Sequence, residues 1–176
     1  MSSLPAVELP LCVALNRWGA KSFVHGFFAT ISRLGDGLFW YVLMIALAVG
    51  GGARGAAAAA HMAVTGLAAL ALYRALKHRI RRSRPCAGNQ GIVALVAPLD
   101  QFSFPSGHTL HAVSFTIVAC AWFPSLALVL VPFTVLVALS RVVLGLHYPS
   151  DVVAACVIAA LLAGASLAGA EFLGVT

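Results

Sequence analysis

Three short clusters hold most of the side chains of this sequence that could perform chemistry, and the first is basic. Residues 74–85 contain six of the eleven lysines and arginines, among them Lys77 and Arg84. Lysine supplies a point charge and arginine a planar fork of donors, and both suit phosphate oxygens. Pro85 ends a helix, so Arg84 is expected at a fixed corner. The cluster predicts a phosphate clamp. The alternative is a basic collar that binds anionic headgroups or orients the chain in a membrane.

The second cluster, Phe104–Thr109, stands where a long apolar run begins. Ser106 is a good N-cap, and a helix N-terminus with Gly107 beside it offers backbone N–H groups to an anion. A capped membrane helix with an interfacial His108 is the simpler interpretation. His111 follows three residues later, but no carboxylate or cysteine completes a metal site, so no metal is expected.

The third cluster is Ser140–Asp151. Arg141 falls near a helix C-terminus, where the macrodipole favours a cation. Pro149 suits the first position of the next helix, which places His147 just outside that helix and Asp151 in its first turn. A carboxylate there could bond one imidazole nitrogen of His147 and leave the other free to attack. Alternatively, Asp151 caps the helix beside an unrelated histidine.

The composition places these clusters in a membrane. Of the 176 residues, 61% are hydrophobic and 9% are charged, with a net charge of +6. Average soluble domains carry about 25% charged residues. This balance argues against a disordered chain and against a conventional nucleic-acid binder.

Five apolar runs are candidates for membrane-spanning helices, because about 20 apolar residues cross a bilayer. The fold class predicted from them is an all-α polytopic membrane helix bundle in a single domain, residues 1–176. The N-terminal region, residues 1–36, has charges among apolar residues and is expected to form an interfacial amphipathic helix or a sixth span. The five runs are Gly37–Gly50, Ala56–Leu76, Thr109–Phe123, Ser125–Leu146 and Val152–Leu173.

Following the five spans in order brings all three clusters to one face of the bundle. Two histidines, several cations and two helix N-termini are what a phosphoryl-transfer pocket needs, because catalysis there consists largely of holding charge and aligning the attacking and leaving atoms. The cations could supply the charge that Mg²⁺ supplies elsewhere. No cofactor is expected.

The three clusters also carry a family resemblance. The motifs K-x6-R-P from Lys77, P-S-G-H from Pro105 and S-R-x5-H-x3-D from Ser140 resemble the three signature motifs of the type 2 phosphatidic acid phosphatase (PAP2) superfamily. All eleven specified positions match, in the family's order, between residues 77 and 151.

The resemblance implies a metal-independent phosphatase that works through a phosphohistidine. His147 would be the nucleophile, Asp151 would orient it, and His108 would be the general acid and then the base. No catalytic role is carried over to Arg79, Arg81 or Arg82. The residues expected to bind the phosphoryl oxygens are Lys77, Arg84, Ser106, Gly107 and Arg141.

A site embedded in a membrane implies a lipid phosphate as the partner. Phosphatidic acid, phosphatidylglycerol phosphate and a polyprenyl phosphate or diphosphate are the expected substrates. A non-enzymatic scaffold that binds anionic lipid, a small transporter and a metal-dependent hydrolase are the alternatives.

The expected location is a bacterial inner membrane, and the side that the site faces is left open. The basic excess favours the cytoplasmic side by the positive-inside rule. The resemblance favours the periplasmic side, and we lean towards it because much of the basic charge is accounted for as catalytic.

Overall fold

The computed structural model describes residues 4–88 and 91–174, and every regular element within these ranges is helical. The predicted all-α bundle is therefore confirmed. A 3-10 turn, Pro85–Ala87, follows the fourth helix, and a second one, Pro124–Leu126, joins the fifth and sixth. The α-helices are α1 Leu4–Gly19, α2 Ser22–Arg33, α3 Phe39–Gly50, α4 Gly52–Ile80, α5 Gly107–Trp122, α6 Ala127–Val143 and α7 Pro149–Phe172.

Within the part of the chain that the structure describes, four helical segments are long and apolar enough to cross a bilayer, and the chain is a multi-pass membrane protein. They are Ser22–Gly50, Gly52–Ile80, Pro124–Val143 and Pro149–Phe172. Helix α5 has 16 residues, about 24 Å of helix, and corresponds to the third predicted span. It packs against α4, α6 and α7 and buries Leu110, Val118 and Trp122, so it forms the centre of the bundle.

The first predicted span was wrong at its start. The run Gly37–Gly50 continues a helix that begins at Ser22, because α2 and α3 are joined through a π-helical turn, Leu34–Leu38. Asp36 (φ −80°, ψ 15°) and Gly37 (φ 127°) leave helical geometry there, and only glycine adopts the second conformation readily. Residues 22–36, expected to belong to an interfacial helix or a sixth span, form the first half of this kinked span.

Helix α1 is the remaining part of the predicted N-terminal region. It packs against α2, α6 and α7. The Glu8 carboxylate accepts a hydrogen bond from the backbone N–H of Ser150 at 2.7 Å, at the start of α7. Helix α1 therefore lies beside the start of α7 in the third cluster and, through Glu8, beside Arg82 of the first cluster.

The three clusters meet at one face of the bundle, as the order of spans predicted. Arg84 donates to the Leu146 carbonyl at 2.8 Å, and the Ser106 N–H donates to the Asp151 carbonyl at 3.3 Å. We call this end of the bundle, which holds Arg84, Ser106 and His147, the site face.

Candidate active site

His147 lies in the short loop between α6 and α7 and is almost completely buried. Its Nε2 atom is 3.2 Å from Nη1 of Arg84. A guanidinium can only donate, so Nε2 accepts and the single proton of the neutral ring lies on Nδ1. The Nδ1 atom faces Oδ2 of Asp151 at 3.7 Å, which is longer than a hydrogen bond. The geometry leaves the Nε2 lone pair directed at the basic clamp.

The surroundings of His147 keep it neutral. Burial lowers the pKa of its imidazole well below the ordinary value, and the nearby charges of Arg141, Arg84 and Lys77 lower it further. An uncharged imidazole is the nucleophilic form of histidine. The cations that were predicted to bind a phosphate therefore also favour the uncharged ring.

Asp151 lies in the first turn of α7 and is fully buried. Its Oδ2 accepts the backbone N–H of Tyr148 at 2.9 Å, so it does cap the helix. Its other oxygen, Oδ1, accepts Nη1 of Arg82 at 2.8 Å. Asp151 therefore caps the helix, as the simpler interpretation predicted, and it also faces His147.

Arg82 is a site residue that sequence reasoning missed. Besides Asp151, it pairs with Glu8 of α1 at 3.0 Å, and its guanidinium lies 4.1 Å from the centre of the Tyr148 ring. The motif leaves this position unspecified, so it gave no signal. Arg82 joins the N-terminal helix to the start of α7.

Lys77 and Arg84, expected to bind phosphate, both contact a carboxylate that the sequence analysis did not identify. Lys77 in the last turns of α4 lies 2.5 Å from Asp100, and Nη2 of Arg84 donates to Asp100 at 2.7 Å. The Tyr73 hydroxyl donates to the same carboxylate at 2.6 Å. One signal was available, because Asp100 is the only acidic residue between Asp36 and Asp151.

Asp100 is ionised in this setting. Burial by itself would raise the pKa of its carboxyl, but the hydrogen bonds from Lys77 and Tyr73 and the charges of Lys77 and Arg84 outweigh it. The net effect lowers the pKa from 3.8 to about 2. In the absence of substrate, a carboxylate thus compensates two cations of the predicted clamp.

Ser106 and Gly107 lie at the start of α5, as predicted. Ser106 holds the N-cap position, but its hydroxyl bonds the Thr109 hydroxyl at 2.9 Å and makes no cap to the backbone. A Cβ at Gly107 would stand 2.8 Å from the Tyr73 ring, so the close approach of α4 requires glycine. This approach places the start of α5 beside the tyrosine that holds Asp100.

Arg141 lies in the last turn of α6 and is buried. Its Nη1 donates to the Ser32 hydroxyl of α2, while its Nε has no partner among the described residues. A buried donor without a partner is costly and points to a ligand that would accept from it. Arg141 lines a cavity of about 210 Å³ together with His108 and Asp36.

His108 lies in the first turn of α5, with its side chain 10% exposed. Its Nε2 atom is 3.3 Å from Oδ1 of Asp36, in the kink between α2 and α3. A second cavity, of about 250 Å³, is also lined by His108 and Asp36. His108 therefore borders two cavities.

His111 has a local role in the structure. Its Nδ1 bonds the Gly107 carbonyl at 2.9 Å, one turn earlier in the helix. Among the described residues there is no group of three histidine, cysteine or acidic side chains that could hold a metal ion.

The chain resembles known proteins in both sequence and fold. The sequence model of the PAP2 superfamily matches residues 55–172. Decaprenylphosphoryl-5-phosphoribose phosphatase of Mycolicibacterium smegmatis is 38% identical over 80 residues, and its counterpart from Mycobacterium tuberculosis is 41% identical over 78 residues. Each match covers 44% of this chain and 41% of the relative. The matched region is thus less than half the length of either protein.

Two solved structures share the fold across nearly the whole chain. The transmembrane PAP2-type phosphatidylglycerolphosphate phosphatase from Bacillus subtilis has a TM-score of 0.79 at 23% identity, covering 97% of this chain and 88% of that one. LpxE from Aquifex aeolicus has a TM-score of 0.78 at 23% identity, covering 92% and 94%. At this identity the likeness concerns the fold.

Proposed function

The chain belongs to the PAP2 superfamily, and on that premise we propose that it hydrolyses the terminal phosphate of a membrane lipid through a phosphohistidine on His147. One observation carries the proposal. The neutral, buried imidazole directs its Nε2 at Arg84 of the clamp and its Nδ1 towards Asp151. If the ring only filled space in the core, it would not need to direct its Nε2 lone pair at these cations.

The first step transfers the phosphoryl group to the enzyme. A phosphate monoester enters the clamp in place of the Asp100 carboxylate, and its oxygens contact Lys77, Arg84 and Arg141. Nε2 of His147 forms a bond to phosphorus while the bond from phosphorus to the ester oxygen breaks. The electron pair of that bond stays on the leaving oxygen, which takes a proton from His108.

The second step returns the enzyme to its starting state. Water attacks the phosphohistidine and gives a proton to His108, which is now the base. The bond between phosphorus and Nε2 breaks, and inorganic phosphate leaves. The clamp cations stabilise charge on the equatorial oxygens in both steps, so the chain's own residues can fill the role of a metal ion.

The substrate class that we propose is a lipid phosphate monoester or diphosphate. The membrane spans support this class, because a site at the end of a helix bundle is reached from the bilayer. Relatives named as a decaprenylphosphoryl-5-phosphoribose phosphatase and a phosphatidylglycerolphosphate phosphatase point to polyprenyl and glycerol lipids as the first substrates to test.

For its location, we propose a bacterial inner membrane with the site face outward. Cysteine substitutions at Ala87 on the site face and Ser125 at the opposite end, with the native cysteines replaced, test this orientation. An impermeant thiol reagent on intact cells should label position 87 and spare position 125. The reverse pattern would place the site in the cytoplasm.

Phosphate release by the detergent-purified chain tests the activity. The wild type should release phosphate from at least one lipid phosphate with EDTA present, and His147→Ala should release none. Arg81→Ala is the matched control, because Arg81 is exposed and contacts only the adjacent His78 carbonyl among the described residues. Lipid binding without release by the wild type would favour the scaffold or transporter. Activity lost in EDTA would favour a metal-dependent hydrolase.

A further inference from the structure

Acidic residues of the site face are in contact with particular basic side chains. For two of these acidic residues the partners are lysine or arginine, and for a third the partner is a histidine. Asp100 compensates Lys77 and Arg84, and Asp151 compensates Arg82. Asp36 is in contact with His108. Since the proposed function makes His108 a general acid, this carboxylate lies beside the group whose protonation the reaction needs.

We propose that Asp36 is a positioning residue for His108, which orients its ring and stabilises the imidazolium that donates a proton to the leaving oxygen. This inference rests on the proposed function. Its geometric basis is the 3.3 Å contact between Oδ1 of Asp36 and Nε2 of His108.

The backbone around Asp36 is shaped to bring this carboxylate to the site. Asp36 lies in the middle of the apolar segment Ser22–Gly50, a candidate membrane span in which a carboxylate is costly and usually functional. The flanking Gly37, at φ 127°, breaks the helix and turns Asp36 out of the helical path.

The charges around His108 explain why a carboxylate is needed. Arg141 of α6 and Arg84 bring positive charge near the ring from neighbouring elements, and the ring itself is largely buried. Arg33 lines the same small cavity. Cations disfavour a further positive charge on the ring, and an adjacent carboxylate favours it. Asp36 supplies that negative charge in direct contact.

The contact leaves the ring able to act. An imidazolium carries a proton on each nitrogen, so one proton can stay towards Asp36 while the other passes to the leaving oxygen. The neutral ring that results can then accept a proton from the attacking water. Asp36 is 47% exposed and borders both cavities beside His108, so substrate has room next to the pair.

The test compares two leaving groups on the full chain in detergent. Dodecyl phosphate loses an alkoxide, which needs protonation, whereas p-nitrophenyl phosphate loses a stable phenolate, which does not. Asp36→Asn should reduce kcat/KM for dodecyl phosphate by about 10- to 100-fold and for p-nitrophenyl phosphate by less than about threefold. Asp36→Glu should restore part of the lost activity towards dodecyl phosphate. In a His108→Ala background, Asp36→Asn should cause no further loss.

Glu171→Gln is the matched control, because it removes one exposed carboxylate at the far end of α7. It should leave both substrates unaffected. Equal losses for the two substrates in Asp36→Asn would overturn the inference, since they would mean that Asp36 acts on phosphate binding through Arg141 or on folding. No loss for either would overturn it too. If the wild type hydrolyses no phosphate ester, the proposed function itself fails, and the inference falls with it.

Discussion

The Nη1 atom of Arg84 lies 3.2 Å from Nε2 of His147, and this contact fixes which imidazole nitrogen holds the lone pair. The same guanidinium donates to the Leu146 carbonyl and to Asp100. Arg84 therefore joins the loop that carries His147 to the first basic cluster. In the proposed reaction, the residue that orients the attacking nitrogen also holds the group that it attacks.

Arg84→Lys tests this double role. A lysine keeps the charge but cannot reach Asp100, Leu146 and His147 at once, because it lacks the planar fork of donors. We expect kcat/KM to fall by about 100-fold, or about 2.7 kcal/mol of transition-state stabilisation. Steady-state phosphate release measures this. Near-wild-type activity would mean that Arg84 contributes charge alone.

Arg82→Ala tests whether the second ion pair supports the site. The change leaves the buried Asp151 carboxylate without its charged partner, which costs up to about 3 kcal/mol. We expect a lower midpoint of thermal unfolding in detergent and at least tenfold slower phosphate release. The control is Arg79→Ala, since Arg79 is exposed and should change stability by less than about 0.5 kcal/mol. Equal effects of the two variants would argue against a special role for Arg82.

Asp100→Asn tests the compensation of the clamp through its pH dependence. The carboxyl of Asp100 has a folded-state pKa of about 2 against an ordinary value of 3.8. Its ionisation therefore stabilises the fold above pH 3.8, and this contribution is lost as the pH falls towards 2.

At neutral pH the contribution of Asp100 is at most about 2 kcal/mol, because the side chain is partly exposed. The difference in stability between wild type and Asp100→Asn should shrink as the pH falls from about 4 to 2. Unfolding in detergent at a series of pH values measures it. A difference that does not change with pH would mean that the contacts of Asp100 depend on shape and not on charge.

Gly37→Ala tests the kink between α2 and α3. A residue with a Cβ is strained at φ 127°, and that Cβ would also stand 2.9 Å from the Tyr41 ring. We expect a loss of about 1–3 kcal/mol in stability. In Gly26→Ala the new Cβ meets nothing within 4 Å, and that helix position should gain up to about 1 kcal/mol. The midpoints of thermal unfolding of the two variants measure this difference. Equal changes in stability would mean that the kink does not require glycine at position 37.

The sequence predicted the spans well where apolar residues run without interruption. The helices α4, α6 and α7 follow such runs, and Pro124 marks the turn before α6 as expected. The first span was cut short because His25 and Arg33 interrupt its first half. In the structure, Nε2 of His25 forms a hydrogen bond with the Leu95 carbonyl in the loop between α4 and α5. The imidazole therefore has a partner within the protein.

The motifs predicted which cations and histidines meet, but not which carboxylates accompany them. The positions of Lys77, Arg84 and His147 could be predicted because these residues lie at or near the ends of helices, and the apolar runs show where the helices end. Asp100 reaches its partners through a long irregular loop, whose path no hydrophobic pattern encodes. Asp36 reaches His108 through a break in a helix. A prediction that treats the first span as a regular helix does not detect this contact.

In the proposed reaction, substrate displaces the carboxylate that Lys77 and Arg84 bind, so its capture exchanges one anion for another. Asp100 carries a single negative charge, and a phosphate monoester carries close to two at neutral pH. The phosphodiester of an ordinary membrane phospholipid carries one, so on this proposal it gains no charge advantage over Asp100 and does not displace it. The proposed site would thereby select a rare lipid that ends in a dianion from a membrane made mostly of phosphodiester lipids.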